Sequence, residues 1–146
     1  MEGKNGSLLP VVFYGTLLQG LPAKPGRPPF EELGHYVGPC EIRGLLYDWG
    51  PYPRLVAGEG RVRGELWQPQ HPEALAMLDD WESCDPADTA GSVCVRQIAT
   101  LIQPARRAWV YVYPPSAGLP LIESGDWSAL PKAHDLAALL KLARDA

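Results

Sequence analysis

Two features of the chain could do chemistry together. One is a glutamate in an apolar stripe. The segment "HPEALAMLDDWE" reads as a helix, with Pro72 suited to its first turn. With Leu75 set at zero and about 100° per residue, Leu78 falls at about 300° and Glu82 at about 340°. Glu82 thus lies between two leucines, whereas Asp80, at about 140°, lies on the opposite, solvated side. A carboxylate on a core-facing stripe is costly, and desolvation pushes its pKa up toward that of a base useful near neutral pH. The alternative is a helix end, with Glu82 exposed as the chain turns outward or paired with Arg96. The other feature is "VVFYGTLLQG", an apolar strand that opens directly into Gly15. A glycine there lets a ligand approach the backbone, and successive N–H groups past a strand end can hold a carboxylate or an oxyanion. The alternative is a plain tight turn.

Other reactive side chains are weighed against ordinary structural roles. Arg54 and Arg96 could bind a carboxylate or serve as solvated or structural arginines. Tyr113 could line a pocket, donate a hydrogen bond to a reacting carbonyl, or pack in the core. Ser7 and Thr16 lack a histidine partner for a triad, as does Cys84 for a thiol nucleophile. His35, His71 and His134 fall at expected loops or helix starts. Asp126 and Trp127 read as structural. No paired ligand spacing suggests a metal site, and three cysteines (Cys40, Cys84, Cys94) without a CxxC pair favour a reduced, cytoplasmic setting over a disulfide framework.

The elements that must position these groups follow from pattern. The 146 residues, 46% apolar and 21% charged, suffice for one domain with a core, 1–146. The net charge of −4 argues against a nucleic-acid partner. No apolar run is long enough to span a membrane, and the N-terminus does not read as a secretory signal. The 15 glycines and 16 prolines imply many tight connections between short strands. Leu9–Tyr14 is predicted as a buried strand, and Leu18–Pro29 as a mobile, proline-rich loop. Glycine-broken strands follow, with a turn at Trp49–Pro53. In "GRVRGELWQ", Val62, Gly64 and Leu66 face one way and Arg61, Arg63 and Glu65 the other. A hairpin is expected around Pro104. A final helix carries a stripe of Leu136, Leu139, Leu140 and Ala143. The sum is a curved, mostly antiparallel or mixed sheet or barrel with packed helices.

The segments "VFYGTLLQG", "GLLYDWGPYPRLV", "VRGELWQ", "LDDWE", "CVRQIATL", "AWVYVY" and "SGDW" occur in this order from Leu9 to Trp127. Together they resemble the γ-glutamylcyclotransferase-like superfamily, which includes the AIG2-like proteins. The resemblance implies an α+β fold built on a small, mixed or antiparallel β-barrel-like sheet. It implies that Tyr14, Gly15, Thr16 and Leu17 bind the glutamyl end of a small-molecule substrate, and that Glu82 is the catalytic general base. The implied reaction is transferase- or lyase-type amide cleavage: the α-amine attacks its own γ-glutamyl carbonyl, releasing 5-oxoproline and an amine or amino acid, without metal or cofactor. Departures cluster near the expected mouth of the site: no Asn follows the turn, "ESCDPADTAG" follows Glu82, and Cys94 stands two residues before Arg96. They motivate one rival, a non-catalytic binding or adaptor domain; a γ-glutamyl acyltransferase is a further reading.

Overall fold

The computed structural model describes residues 9–23, 25–82, 94–115 and 117–145. Ser7, Cys84 and most of "ESCDPADTAG", weighed above, lie outside these described residues. Five strands form one mixed sheet in the order β2-β3-β1-β5-β4. They are β1 (Val11–Phe13), β2 (Gly34–Asp48), β3 (Pro53–Pro69), β4 (Val95–Thr100) and β5 (Arg107–Val112). The helices are α1 (Phe30–Leu33), α2 (Glu73–Trp81) and α3 (Leu136–Asp145), with 3-10 turns at Trp127–Ala129 and Pro131–His134.

β1 occupies the centre, antiparallel to β3 (Val11 opposite Trp67) and parallel to β5 (Val11 opposite Trp109). A central strand covered on both faces needs apolar residues without alternation. Val11, Val12 and Phe13 meet that need, all at 3% exposure or less. Phe13 anchors an aromatic cluster, with ring centroids 5.6 Å from Phe30, 6.0 Å from Tyr36 and 5.5 Å from Trp67. Phe30 belongs to α1, a short helix that begins directly after the segment expected to be a mobile loop, Leu18–Pro29. The first residue of that segment, Leu18, is itself buried.

β2 and β3 make a long hairpin about the turn predicted at Trp49–Pro53, and Val62, Gly64 and Leu66 face inward as the alternation requires. The hairpin bends where its register shifts between Arg43 and Leu45. Gly44, with φ +154°, makes the bend, and a Cβ there would lie 2.6 Å from Leu55 Cδ1. Bending brings Glu41 of β2 to a single bridge with Gln103 beyond β4. The sheet therefore curls without closing fully, which makes the expected curved, barrel-like α+β sheet an open five-stranded one.

Three smaller expectations change. His35 sits within β2 rather than in a loop. Among the described side chains of α3, Leu139 is fully buried, Leu136 and Leu140 are half-buried and Ala143 is exposed. Cys40 is a free, buried thiol, but Cys94 is disulfide-bonded. Sequence spacing alone does not reveal which cysteines fold together, so the count carries no weight on compartment. Among the described residues, no helix is long and apolar enough to cross a membrane. Asp126 caps the first 3-10 turn by accepting from Ser128 N at 3.0 Å, and Trp127 is fully buried, which bears out their structural reading.

α2 is tied to the sheet by Asp79, 6% exposed. Its carboxylate accepts from Arg96 Nε at 2.7 Å, Arg96 Nη2 at 3.1 Å and Tyr111 Oη at 2.8 Å. Arg96, offered above as a ligand for substrate or for Glu82, is thus held by Asp79 and lies over the Trp109 ring at 4.3 Å. Removing one partner of such a pair strands the other charge. Asp79→Ala is expected to cost about 3–5 kcal/mol in urea denaturation; a loss below about 1 kcal/mol, the range of surface pairs, would contradict this role.

Candidate active site

Four chain segments converge on a cavity of about 240 Å³. The turn after β1 supplies Tyr14 to Leu17, the β2–β3 connection and the first residue of β3 supply Tyr52 and Pro53, β5 and its extension supply Tyr111 and Tyr113, and the end of α2 supplies Trp81 and Glu82. All six sequence-predicted site residues, Tyr14, Gly15, Thr16, Leu17, Glu82 and Tyr113, therefore face one space. Tyr111, Tyr52, Pro53 and Trp81 were not anticipated. Strand alternation could have found Tyr111, since residues two apart share a face and Tyr113 was already a candidate.

Glu82 follows the last residue of α2 but keeps the helical path, with φ −85° and ψ −2° and its N–H bonded to Leu78 O at 2.8 Å. It thus stays on the stripe of fully buried Leu78, as the helical projection predicts, while Asp80 is exposed. Its carboxylate is not bare: Tyr113 Oη donates to Glu82 Oε1 at 3.2 Å. Tyr113 therefore lines the cavity and holds the carboxylate. Burial pushes the phenols of Tyr14, Tyr111 and Tyr113 up, and the Glu82 charge pushes each further. These phenols remain protonated donors around a carboxylate. Tyr14 Oη donates to Tyr111 O at 2.7 Å, which locks the turn to β5.

Two of the turn's carbonyls are occupied and its first amides are open. Leu18 N donates to Gly15 O at 3.1 Å, and Tyr36 Oη donates to Leu17 O at 2.7 Å. Gln19 N donates to Glu65 Oε1 at 2.8 Å, pinning the turn's far end to β3. Among the described residues, the N–H groups of Gly15, Thr16 and Leu17 donate to no acceptor. Packing adds a second constraint at Gly15. A Cβ there would lie 2.9 Å from the Pro53 ring, so the glycine lets the turn press against the cavity wall.

An open mixed sheet with a cavity at the end of its central strand defines the class of fold. A profile of the family described as "Gamma-glutamyl cyclotransferase, AIG2-like" matches residues 11–129, and the chain belongs to that family. It is 34% identical over 118 residues to a putative gamma-glutamylcyclotransferase of Vibrio cholerae, covering 80% of this chain and 93% of that protein. It is 45% identical over 84 residues to the gamma-glutamylcyclotransferase family protein YtfP of Escherichia coli, covering 56% of this chain and 66% of the relative. The solution structure of Escherichia coli ytfP superposes with a TM-score of 0.59 at 32% identity, over 82% of this chain and 96% of that one.

Two predictions follow from the phenols and the turn. A tyrosine whose folded pKa is raised contributes stability that is fully present below its unfolded value of about 10 and is lost as pH climbs toward the folded value. The Cys40 thiol, pushed to about 12 by burial, acts in the same sense. Unfolding free energy should hold steady up to about pH 9 and fall beyond it, and phenolate absorbance from Tyr14, Tyr111 and Tyr113 should emerge only with unfolding. Constant stability well above pH 10 would contradict this. Gly15→Ala should cost about 1–3 kcal/mol by overpacking against Pro53, measured by thermal melt; an unchanged melt would show that the turn does not press on that ring.

Proposed function

We propose that the chain is a cyclotransferase that cleaves a γ-glutamyl amide by intramolecular attack, with Glu82 as general base. The observation that carries this reading is that one cavity is lined both by the Glu82 carboxylate and by the open N–H groups of Gly15 to Leu17. A γ-glutamyl amide needs both. Its glutamyl end carries a carboxylate, and its carbonyl oxygen becomes negative as the amine attacks; hydrogen-bond donors suit either charge. Its α-amine is mostly protonated at neutral pH, with a pKa of about 8 or higher, and must lose a proton before it can attack.

Glu82 takes that proton. The freed amine nitrogen bonds to the γ-carbonyl carbon, closing a five-membered ring. Glu82 gives its proton to the leaving nitrogen as the bond from that carbon breaks, then takes the second proton from the ring nitrogen, which leaves the neutral lactam, and passes it to the departing amine, which exits as an ammonium. The products are 5-oxoproline and an amine or amino acid. Nucleophile and electrophile share one molecule, so the site's task is to fold the substrate into attacking geometry, and the cavity's walls act on that entropy. Tyr113 fixes the carboxylate by its hydrogen bond, and Tyr14 and Tyr111, protonated and buried, keep bulk water from it. Each group used in this scheme is a side chain or backbone amide of the chain itself.

Glu82→Gln keeps the shape and removes the base. Release of 5-oxoproline from γ-glutamyl amino acids, followed by mass spectrometry, should fall by about 10²–10⁴. A variant as fast as the parent would end this reading.

A further inference from the structure

Just outside the cavity lies a cation that the scheme above leaves unused. Arg54 of β3 is partly exposed, and its guanidinium carbon lies 4.5 Å from the Trp49 ring centroid and 5.0 Å from that of Tyr113. Trp49 in turn stacks on Tyr52, with centroids 4.8 Å apart and planes inclined by 33°. Two aromatic rings thus crowd the guanidinium, and two members of the cluster, Tyr52 and Tyr113, are also cavity walls. Among the described residues, no carboxylate pairs with Arg54, and its Nε is fully buried without an acceptor. The contrast with Arg96 is direct, since that arginine has a ring beneath it and also a bidentate carboxylate from Asp79.

Both arginines present the same chemistry, and one of them lacks its anion. A guanidinium packed on aromatic rings keeps its planar edge, which matches a carboxylate through two parallel N–H···O bonds. A buried N–H with no acceptor is a standing cost that an incoming carboxylate relieves. The position tells which carboxylate. In the scheme above the glutamyl end lies on the N–H groups of Gly15 to Leu17, and the reacting amine lies at Glu82. Arg54 does not line that cavity. It sits against the ring of Tyr113, whose hydroxyl reaches Glu82. A substrate therefore reaches Arg54 only with the portion beyond the scissile amide.

We propose that Arg54, held between Trp49 and Tyr113, binds a carboxylate on the leaving half of the substrate, so that the enzyme selects γ-glutamyl amino acids or peptides over γ-glutamyl amines that lack an acid group. This rests on the cyclotransferase reading and narrows its substrate class. The selection is one of positioning: Arg54 touches no reacting atom, and its contribution falls on KM more than on kcat.

A matched pair tests it. γ-Glutamyl-alanine and γ-glutamyl-ethylamide differ only by the carboxylate of the leaving group. Turnover of each is measured with the parent, Arg54→Met, Arg54→Lys and, as a control on a distant exposed arginine, Arg61→Met. Binding of each is measured by calorimetry in the Glu82→Gln background. The parent should favour γ-glutamyl-alanine by about tenfold or more in kcat/KM, the scale of one bidentate charged contact. Arg54→Met should bring that ratio close to one through KM, Arg54→Lys should restore part of it, and Arg61→Met should leave it intact. Equal handling of the two compounds by the parent, equal losses on both in Arg54→Met, or no binding of either would overturn the proposal. Carboxylate-selective binding that depends on Arg54, with no 5-oxoproline from either compound, would uphold it and defeat the cyclotransferase reading instead.

Discussion

A carboxylate can stand inside a wall of apolar and aromatic groups only if something there donates to it. At Glu82 that donor is the Tyr113 hydroxyl, 3.2 Å from Oε1. The rest of the site depends on this contact. It fixes the carboxylate at the end of α2 against the extension of β5, and it requires Tyr113 to stay protonated, which burial and the Glu82 charge ensure. Tyr113 N in turn donates to Leu55 O at 2.8 Å, so the phenol is anchored to β3 before it reaches the acid. Neither partner is placed by a free loop.

Two further ties converge on the same spot. Asp79, three residues before Glu82, clamps α2 to β4 and β5 through Arg96 and Tyr111. Tyr14 clamps the turn after β1 to the same strand through the Tyr111 carbonyl. Tyr111 is therefore shared: its hydroxyl serves the helix and its backbone serves the turn. A shift of either element would strain the other, which is the physical reason that an acid on one segment and amides on another can keep a fixed relation. The curl of the sheet, set by the bend at Gly44, brings the β2–β3 connection close enough for Pro53 to complete the wall beside Gly15.

Much of this was legible in the sequence because it is periodic or local. The buried run of β1, the alternation of Val62, Gly64 and Leu66, and the helical projection that turned Glu82 inward all depend on spacing within one element. What was not legible depends on contacts between elements. Nothing local distinguishes Asp79 from Asp80, yet one is buried on Arg96 and the other is exposed. Gly15 was read as an opening for ligand, but the packing constraint on it comes from the Pro53 ring, 38 positions away in the chain. Arg54 gave no sign of its aromatic neighbours, which a turn and a second strand bring to it. The helix α1 was hidden by the prolines before it, and the disulfide at Cys94 by the lack of any spacing rule that would announce it.

The central claim is that the turn and the glutamate bind the two ends of one glutamyl group. A crystal structure of the protein with 5-oxoproline, the product that contains both ends, tests it most directly. The account predicts the lactam in this cavity, with its ring nitrogen within hydrogen-bonding distance of the Glu82 carboxylate and its oxygens on the N–H groups of Gly15 to Leu17. A lactam bound elsewhere, or one lying in the cavity with its nitrogen turned away from Glu82, would contradict it.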